Sequence, residues 1–485
     1  MSSTVSVACE GRKNMSENSN SKALKSGIWY TMANFLTKSI GLITTPIFSR
    51  LLTHQEVGAY GNYTSYLAVL TILITFNLES TFISAKYDFE KEFDSYVSSM
   101  LVFSTVSAAI WGIALNLFSD FAVEFMNIDR VYINCMCMYL VFLPAVHMYQ
   151  TKERYRFGYK KSVLISCLIA VGTALISVLL VKMMENRLSG RVFGSALPTI
   201  AVGLVLYVLL VRSGHNIKFE HIKYALPICL PFVPHLLSMT FLNTLDKMMI
   251  TDMLGEEENS MYTIAYQCSS VVTILVTSLN TAFSPWLGEK LHLDAFDEIR
   301  EFSKKYVLIF LYFAVGIMLV APDLMMIMGG KSYMEAEYVM PPVMLGCACQ
   351  FVYTMYVNVE QFKKKTVGMA IASASAAAIN FGLNYILIPK YGYIAAAYTT
   401  LISFLWLLAA HMFLVWKLGY SKTYPNKFIL CILGAAAVIT VGVNALYKLT
   451  ILRYAIVAVY ACVFFYFAMR YKDDILKLLK KKTAK

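Results

Sequence analysis

Long apolar segments follow one another along almost the whole chain, and this succession constrains the fold more than any other feature. A helix needs roughly 20 mainly apolar residues to cross a bilayer. The 485-residue chain is 58% hydrophobic and only 15% charged, whereas soluble chains contain about 25% charged residues. We therefore predict an all-α polytopic membrane protein, and we exclude a soluble enzyme and a secreted disulfide scaffold.

The apolar segments divide into fourteen predicted transmembrane spans. The longest gap between spans covers residues 288–304, so we expect no sizeable extramembrane domain. In chain order the predicted spans are 27–49, 58–84, 96–117, 131–150, 162–183, 192–211, 224–251, 261–287, 305–328, 338–359, 366–388, 392–416, 427–446 and 452–469.

The basic residues indicate the orientation of these spans. With the N-terminus in the cytoplasm, 31 of the 42 lysines and arginines fall in cytoplasmic segments, and residues 152–161 alone hold five. Nine fall in outer loops, Arg191 among them, and two fall within spans. Cytoplasmic loops carry an excess of basic residues, so both termini are expected in the cytoplasm. The net charge of +12 then reflects membrane topology, and we expect no nucleic-acid partner.

The chain also contains an internal repeat. The sequence VLTILIT at 69–75 returns as VVTILVT at 271–277, and the same offset of 202 residues pairs Glu56 with Glu258 and Gly190 with Gly392. The repeat predicts two pseudo-symmetric six-helix lobes, 24–212 and 222–418. Two additional helices in 426–470 follow, and the tails 1–23 and 471–485 are cytoplasmic. Transporters built from such repeats bind substrate between the lobes, although duplication could also serve only to build a stable bundle.

Polar residues line one face of span 1 and one face of span 7, which are the first spans of the two lobes. They are Thr31, Asn34 and Lys38 in span 1, and Asn243, Asp246 and Lys247 in span 7. A charge at mid-membrane costs roughly 2.5–3.5 kcal/mol, so it usually faces a partner or a wet cavity. We predict that these residues line a transport lumen. The alternative is that Lys247 extends to the outer interface and that Asp246 pairs with a neighbouring cation.

Three more polar residues are candidates for the same lumen. Glu79 lies in the cytoplasmic half of span 2, and Asn380 and Asn384 lie one turn apart in span 11. The two asparagines could equally join helices by hydrogen bonds, and His235 in span 7 is interpreted as a packing residue. Prolines at 227, 231 and 234 predict a kink in span 7.

Sequence motifs for enzymatic chemistry are absent. The chain contains no phosphate-binding Walker loop, no HExxH and no GxSxG. Its cysteines lie mostly inside apolar runs rather than at zinc-ligand spacing. We therefore expect no catalytic residues, no metal site and no cofactor. Transport would be driven by an H⁺ or Na⁺ gradient, by the membrane potential or by the substrate gradient.

Several segments, in order and spacing, carry a family resemblance. They read PIFSRLLTHQEVGAYG (46–61), LDKMMITDMLG (245–255), YTIAYQ (262–267), NTAFSPWL (280–287) and NFGLNYILIPKYGYIAAAYTTLIS (380–403). Over roughly residues 24–420 the chain resembles the polysaccharide-biosynthesis flippases that translocate O-antigen and capsule repeat units. These flippases belong to the multidrug/oligosaccharidyl-lipid/polysaccharide exporter superfamily.

The resemblance implies a two-lobed, fourteen-helix transporter in a bacterial cytoplasmic membrane. Its substrate would be an undecaprenyl-diphosphate-linked oligosaccharide, moved to the outer leaflet for O-antigen, capsule or exopolysaccharide synthesis. Membrane lipids, and the glycosyltransferases and polymerase of the same pathway, would be its partners. Cavities in this family tend to be cationic, which agrees with Lys38. A charged head group cannot cross hydrocarbon unaided, so a hydrated lumen would shield it.

Two other classes of function stay open at this stage. One is an ion-coupled exporter of small cationic molecules from the same superfamily, whose cavity should be acidic; Asp246 is its main support. The other is a membrane polymerase or ligase of the pathway, which the lack of a long outer loop disfavours.

Overall fold

The computed structural model describes residues 40–156, 158–363 and 366–470, and these residues are almost entirely helical. The prediction of an all-α polytopic membrane protein is confirmed. Below, the end of the bundle that carries the basic segment 152–161 is called the inner end, and the opposite end is called the outer end.

The first half of the chain contributes eight helices, which form the N-lobe. They are α1 (Ile40–Leu51), α2 (His54–Thr75), α3 (Phe82–Asp88), α4 (Phe93–Leu117), α5 (Ser119–Met126), α6 (Arg130–Tyr155), α7 (Tyr159–Met183) and α8 (Arg187–Gly214).

The second half contributes ten helices. They are α9 (Phe219–Cys229), α10 (Val233–Leu254), α11 (Glu256–His292), α12 (Phe296–Leu319), α13 (Ala321–Met328), α14 (Met340–Phe362), α15 (Thr366–Tyr391), α16 (Tyr393–Lys417), α17 (Asn426–Leu446) and α18 (Thr450–Arg470). Helices α10 to α16 form the C-lobe, and α17 and α18 are the appended pair.

Twelve segments in the described part of the chain are long and apolar enough to cross a membrane. They correspond to predicted spans 2 to 13. The shorter apolar helices Ile40–Leu51 and Thr450–Tyr466 lie at the positions of predicted spans 1 and 14.

The helix boundaries repeat with the offset seen in the sequence. The short helices Ser119–Met126 and Ala321–Met328 are displaced by 202 residues at both ends. The ends of α4 and α12, at Leu117 and Leu319, have the same displacement. The internal repeat therefore shapes secondary structure as well as sequence, while the predicted lobe limits 24–212 and 222–418 stay predictions.

Two helices related by the repeat begin in different ways. The start of α2 is a capping box, in which Thr53 and Glu56 satisfy each other's backbone amides. The related helix α11 follows Gly255, whose φ of +104° suits only glycine. Both arrangements reverse the chain at the outer end within one or two residues.

The second predicted span is shorter than expected. Residues 58–84 were predicted as one span, but α2 ends at Thr75, and Phe76 and Asn77 adopt positive φ values of 48° and 53°. A 3₁₀ turn, Leu78–Thr81, then leads into α3. Left-handed residues end a helix, and a hydropathy pattern does not reveal them.

The seventh predicted span is divided between the two lobes. Ala225 and Cys229 of α9 are buried in the N-lobe core with Leu78 and Met100. A 3₁₀ turn, Leu230–Phe232, separates α9 from α10, which packs in the C-lobe. A 3₁₀ turn inside a long helix often marks a hinge. The kink expected from the prolines is therefore the place where the chain passes from one lobe to the other.

The appended helices pack against the C-lobe. The Tyr356 hydroxyl of α14 donates a hydrogen bond to Asn426 at the start of α17 (2.7 Å). In α18, the Tyr460 ring stacks on Tyr312 of α12 with centroids 4.1 Å apart. At the outer end, Arg453 of α18 pairs with Asp323 of α13 at 2.5 Å.

Candidate functional site

A cavity of about 190 Å³ lies between the two lobes. Helices α1, α2 and α8 line it on one side, and α10 and α11 line it on the other. Its neutral hydrogen-bonding side chains are hydroxyls and one amide, from Thr44, Thr45, Ser49, Tyr60, Thr64, Thr263 and Gln267. The cavity therefore presents polar groups beside apolar side chains, although it lies inside a membrane-spanning bundle. We call it the interlobe cavity.

Each lobe contributes one cation to the interlobe cavity. Arg191 comes from α8 and Lys247 comes from α10, and the residues described as lining the cavity include no aspartate or glutamate. The Arg191 guanidinium lies 3.7 Å from the centroid of the Phe48 ring and 4.3 Å from that of Tyr60. The Lys247 ammonium lies 5.3 Å from the centroid of Tyr266. Aromatic faces stabilise cations without neutralising them, so the cavity suits an anion.

Close packing of α7 and α8 fixes the position of Arg191. A Cβ atom on Gly190 would lie 2.7 Å from the Leu180 backbone, and one on Gly194 would lie 2.3 Å from Ser177 Cα. Glycines at these positions allow the two helix backbones to touch, as small residues commonly do between membrane helices. The start of α8 is also capped, since the Asn186 side chain accepts a hydrogen bond from the Ser189 amide (3.0 Å).

The predicted lumen residues fall into separate groups. Lys247 lines the interlobe cavity. Asn243, one turn before it, accepts a hydrogen bond from the Tyr266 hydroxyl (3.3 Å). Thr31, Asn34 and Lys38 lie outside the described residues, so their place in a lumen stays a prediction.

Asp246, Asn380 and Asn384 form a buried cluster inside the C-lobe and are not among the residues described as lining the interlobe cavity. Asp246 is only 2% exposed. Its carboxylate accepts hydrogen bonds from Tyr262 (2.5 Å), Thr400 (2.5 Å) and Asn384 (2.7 Å). Asn384 also bonds to Asn380 and accepts a hydrogen bond from Thr399. We call this set the Asp246 cluster.

The described hydrogen-bond partners of Asp246 are all neutral. A carboxylate buried at membrane depth is costly unless a proton or a cation balances its charge. The Asp246 cluster offers oxygen atoms from several side chains at one point, which hard cations prefer as ligands. The carboxyl group of Asp246 is therefore the chemical group of this cluster that a proton or a small cation could neutralise.

Glu79 lies away from both groups. It is on the 3₁₀ turn after α2, near the inner end, and its Oε1 is 3.8 Å from Nδ1 of His147. His235, interpreted from the sequence as a packing residue, bonds to Ser373 of α15 (2.8 Å).

Sequence reasoning missed Arg191, which it assigned to an outer loop. The residue lies in the second turn of α8 instead. The available signal was Gly190 beside it, which the repeat pairs with Gly392. A glycine at such a position indicates that two helices pack closely. Close packing at residue 190 would have placed the start of the helix before Arg191. The positive-inside rule counts charges but does not separate a loop arginine from a buried one.

The two lobes touch closely at the outer end. A Cβ atom on Gly58 of α2 would lie 1.7 Å from the backbone oxygen of Glu256 in α11. The Asn259 side-chain amide donates a hydrogen bond to the Gly58 carbonyl oxygen (2.9 Å). Backbone contact of this kind leaves no space for a substrate between the outer ends of α2 and α11.

Further contacts across the outer end join the N-lobe to the segment around α13. Ser49 donates a hydrogen bond to the Met328 carbonyl oxygen (2.5 Å), and Arg50 donates one to Ile327 (3.0 Å). The His54 ring stacks on Tyr333 with centroids 4.2 Å apart. The interlobe cavity is therefore closed toward the outer end.

Two helical lobes around an interlobe cavity define the class of this protein as an all-helical, multi-pass membrane protein. The fold is similar to that of the "Lipid II flippase MurJ, inward closed conformation", with a TM-score of 0.72 over 92% of this chain and all of that chain, at 14% identity. It is also similar to an inward-facing multidrug resistance MATE family transporter of the MOP superfamily, with a TM-score of 0.63 over 82% and 95% of the chains, at 13% identity. The chain belongs to the polysaccharide biosynthesis protein family, whose family model matches residues 23–290.

Two proteins with similar sequences cover most of the same chain length. A Haemophilus influenzae protein named after its Lsg locus is 21% identical over 348 residues, covering 70% of this chain and 84% of that protein. A second Haemophilus influenzae protein, described as an uncharacterized membrane protein, is 20% identical over 369 residues, covering 74% and 89%. The family resemblance seen in the sequence is thus confirmed.

Proposed function

We propose that this protein is a flippase for polyprenyl-diphosphate-linked oligosaccharide repeat units. It would move them from the cytoplasmic to the outer leaflet by alternating access, for the synthesis of O-antigen, capsule or exopolysaccharide. The observation that carries the proposal is the basic interlobe cavity, because a diphosphate is the charged part of such a substrate.

The two cations fit a diphosphate in their arrangement as well as their sign. Arg191 and Lys247 come from opposite lobes, so one anion can bridge the lobes. A planar guanidinium suits phosphate oxygens in pairs, and an ammonium acts as a point charge. The surrounding hydroxyls and the Gln267 amide would replace water around phosphate and sugar groups.

The volume of the cavity indicates a resting form rather than a loaded one. Ligand pockets usually measure about 300–1,000 Å³, and the interlobe cavity measures about 190 Å³. Loading an oligosaccharide therefore requires the lobes to separate. The 3₁₀ turn at Leu230–Phe232 connects parts packed in different lobes and is the hinge we propose for this motion.

The membrane potential can supply part of the driving force. A potential that is negative inside favours outward movement of an anion by about 2.3 kcal/mol per charge per 100 mV. For the two charges of a diphosphate diester this amounts to roughly 4–5 kcal/mol per 100 mV. No covalent bond changes in the step, and we propose no catalytic residue, resident metal or cofactor.

Ion coupling is assigned in this proposal to the Asp246 cluster. An H⁺ or Na⁺ taken up there would neutralise the buried carboxylate. Asp246 and Lys247 are adjacent on α10, with Asp246 in the C-lobe interior and Lys247 at the cavity. Uptake of a cation at Asp246 would therefore change the electrostatic field at Lys247. Through this change, binding at the cluster would alter the affinity of the cavity for the substrate.

The second candidate function is an ion-coupled exporter of small molecules from the same superfamily. The fold similarity to a multidrug resistance transporter supports it. A pocket for cationic molecules needs negative charge, and the described lining of the interlobe cavity carries positive charge only. The polysaccharide family match also favours the lipid-linked substrate.

Cellular location and partners follow from the same proposal. The protein would lie in the bacterial cytoplasmic membrane with both termini in the cytoplasm, which places the inner end at the cytoplasmic face. Glycosyltransferases of the pathway would supply the substrate there, and a polymerase would use it on the other side.

A gene deletion followed by analysis of lipid-linked glycans tests the proposal. We expect the deletion strain to lose the surface polysaccharide and to accumulate repeat units that a membrane-impermeant glycosidase or lectin cannot reach. Complementation with the wild-type gene is the control. Normal surface polysaccharide in the deletion strain would refute the flippase, and increased sensitivity to cationic dyes with normal glycan would favour the exporter.

A further inference from the structure

A second cavity, shallow and wide open to the surface, lies at the inner end of the bundle and measures about 450 Å³. The first turns of α12 form one wall, and the connector between α16 and α17 with the start of α17 forms the other. It lies well separated in the fold from the interlobe cavity, whose described lining comes from other helices. We call it the inner basic cavity.

Four basic residues line the inner basic cavity, and the described lining contains no carboxylate. They are Arg300, Lys304, Lys422 and Lys427. Two come from α12 and two come from a segment about 120 residues later in the chain. The fold, and not the local sequence, brings the four charges together.

Two acidic residues of α12 near the inner basic cavity pair with cations that do not line it. Glu298 pairs with Lys290 (2.7 Å), and Glu301 lies 3.9 Å from Lys305. Asp297 contacts Arg300 at 3.3 Å, but its side chain is 98% exposed, so water screens this pair strongly. The positive charge of the cavity is therefore left largely uncompensated.

Two donor groups in the wall add to the case for an anion. The Arg300 Nε atom is buried and has no hydrogen-bond partner among the described residues. The N-terminus of α17, a helix of 21 residues, has no side-chain cap, and its first turn lines the cavity through Asn426, Lys427 and Phe428. The Asn426 amide already donates to the Tyr424 carbonyl oxygen (2.9 Å), so the next amides of α17 and the unused guanidinium donor are the groups that suit phosphate oxygens.

Part of the wall formed by the connector and α17 is apolar. Tyr424 and Pro425 line the cavity with Phe428, and the Tyr424 hydroxyl is fixed by a hydrogen bond to the Met355 carbonyl oxygen (2.9 Å). Helices α12 and α17 both continue from here as candidate membrane spans. A ligand with a phosphate group and a neighbouring apolar part matches this combination of walls.

General membrane topology alone does not account for the arrangement. The positive-inside rule distributes lysine and arginine over short loops. It does not require them to converge on one concave surface without acidic lining. We propose that the inner basic cavity binds the phosphate head group of an anionic phospholipid, and that this lipid ties α17 to α12. The proposal does not depend on the proposed transport function.

Lipid retention by the purified full-length protein tests the assignment. The protein is placed in nanodiscs of phosphatidylcholine with or without palmitoyl-oleoyl phosphatidylglycerol, and bound lipid and thermal stability are measured. We expect phosphatidylglycerol to be retained on release from the disc and to raise the unfolding temperature. The triple variant Lys304→Gln, Lys422→Gln, Lys427→Gln should bind it at least about tenfold more weakly, because each cation contributes to attraction of an anionic lipid.

A matched triple variant separates the cavity from general surface charge. Lys91→Gln, Lys160→Gln, Lys223→Gln removes the same charge from exposed lysines at the inner end of the N-lobe, and it should retain the lipid as wild type does. Equal loss in both triples, or no preference for phosphatidylglycerol in wild type, would overturn the proposal. Stabilisation by millimolar inorganic phosphate in pure phosphatidylcholine discs, equal to that by the lipid, would overturn the lipid as the source of the phosphate.

Discussion

The side-chain amide of Asn259 in α11 donates a hydrogen bond of 2.9 Å to the carbonyl oxygen of Gly58 in α2. The same nitrogen donates to Thr251 of α10 at 2.8 Å. One fully buried amide thereby joins three helices from two lobes. Separation of α2 from α11 at the outer end would break this contact, so the contact marks outer closure in this structure.

Gly58→Ala should shift the protein toward an outward-open form. The added Cβ would lie 1.7 Å from the Glu256 backbone oxygen, which only a displacement of α2 from α11 can relieve. Spin labels at Asn127 and Lys331, on the outer ends of the two lobes, should report a longer distance. Gly112→Ala is the control, since its Cβ would meet ordinary contacts at 3.8 Å. An unchanged distance in Gly58→Ala would show that outer closure does not depend on this contact.

Arg191→Ala and Lys247→Ala should each reduce transport of lipid-linked oligosaccharide. The expected loss is about tenfold or more, because a hydrogen bond to a charged group is worth about 1.5–3 kcal/mol. Arg191→Lys should restore part of the activity, since it keeps the charge but loses the planar stacking between Phe48 and Tyr60. Uptake into proteoliposomes with matched protein amounts is the measurement.

The control for the cavity cations is Arg130→Gln. Arg130 is an exposed cation at the start of α6 on the outer end, so it tests the effect of removing charge outside the cavity. Wild-type transport by Arg191→Ala would remove the residue from the site.

Asp246→Asn should uncouple transport from the ion gradient. The substitution removes the charge that a proton or Na⁺ would balance, and an asparagine amide would place hydrogens against the donors Tyr262 and Thr400. This mismatch costs about 1–3 kcal/mol, so the amount of folded protein must be matched first. We expect counterflow exchange to persist while gradient-driven uptake is lost. The control Asp252→Asn, at an exposed position of the same helix, should behave as wild type. Uptake by Asp246→Asn that still depends on the ion gradient would refute the coupling role.

The Asp323–Arg453 pair should make attachment of α18 dependent on pH. The hydrogen bond from Arg453 lowers the pKa of the Asp323 carboxyl below its usual range. A carboxyl with a lowered pKa in the folded state stabilises it fully above the unfolded pKa, near 4, and loses this contribution as the pH falls through the folded value. Asp323→Asn should therefore lower thermal stability by a similar amount at pH 7 and at pH 5.5.

The size of that effect is limited by solvent. Arg453 is 4% exposed, whereas the Asp323 side chain is 35% exposed, so screening leaves about 1–2 kcal/mol. Thermal unfolding in detergent at several pH values gives the measurement, with Asp120→Asn, in the repeat-related helix α5, as the control. A difference between Asp323→Asn and wild type that grows below pH 4 would contradict the assignment.

Helical architecture could be read from the sequence because lipid leaves few choices. Backbone groups in a bilayer must be satisfied within helices, so apolar length alone locates the spans. The 202-residue repeat was visible in the sequence at 69–75 and 271–277, and the structure extends it to α5 and α13. The same reasoning could not place the end of α2, because two left-handed residues, Phe76 and Asn77, carry no hydropathy signal.

Candidate site residues were harder to read than spans. Lys247 stood out because a charge in an apolar run is rare. Asp246, its neighbour, carries an equal signal, yet the structure places it in the C-lobe interior with Asn384 and Thr400. Direction around a helix decides between cavity and interior, and adjacent residues differ in it by about 100°. Arg191 was missed because a cation near the end of an apolar segment is assigned to the neighbouring loop.

The division of the seventh span between the two lobes links the two halves of the chain physically. The predicted boundary between the two lobes lies between residues 212 and 222, but Ala225 and Cys229 are packed in the core of the first half. A cut between the repeats would leave α9 on the second fragment and its binding groove on the first. Two such fragments would therefore bind each other by packing α9 of the second fragment into the core of the first. A fragment without the other half could not form this contact with a second copy of itself.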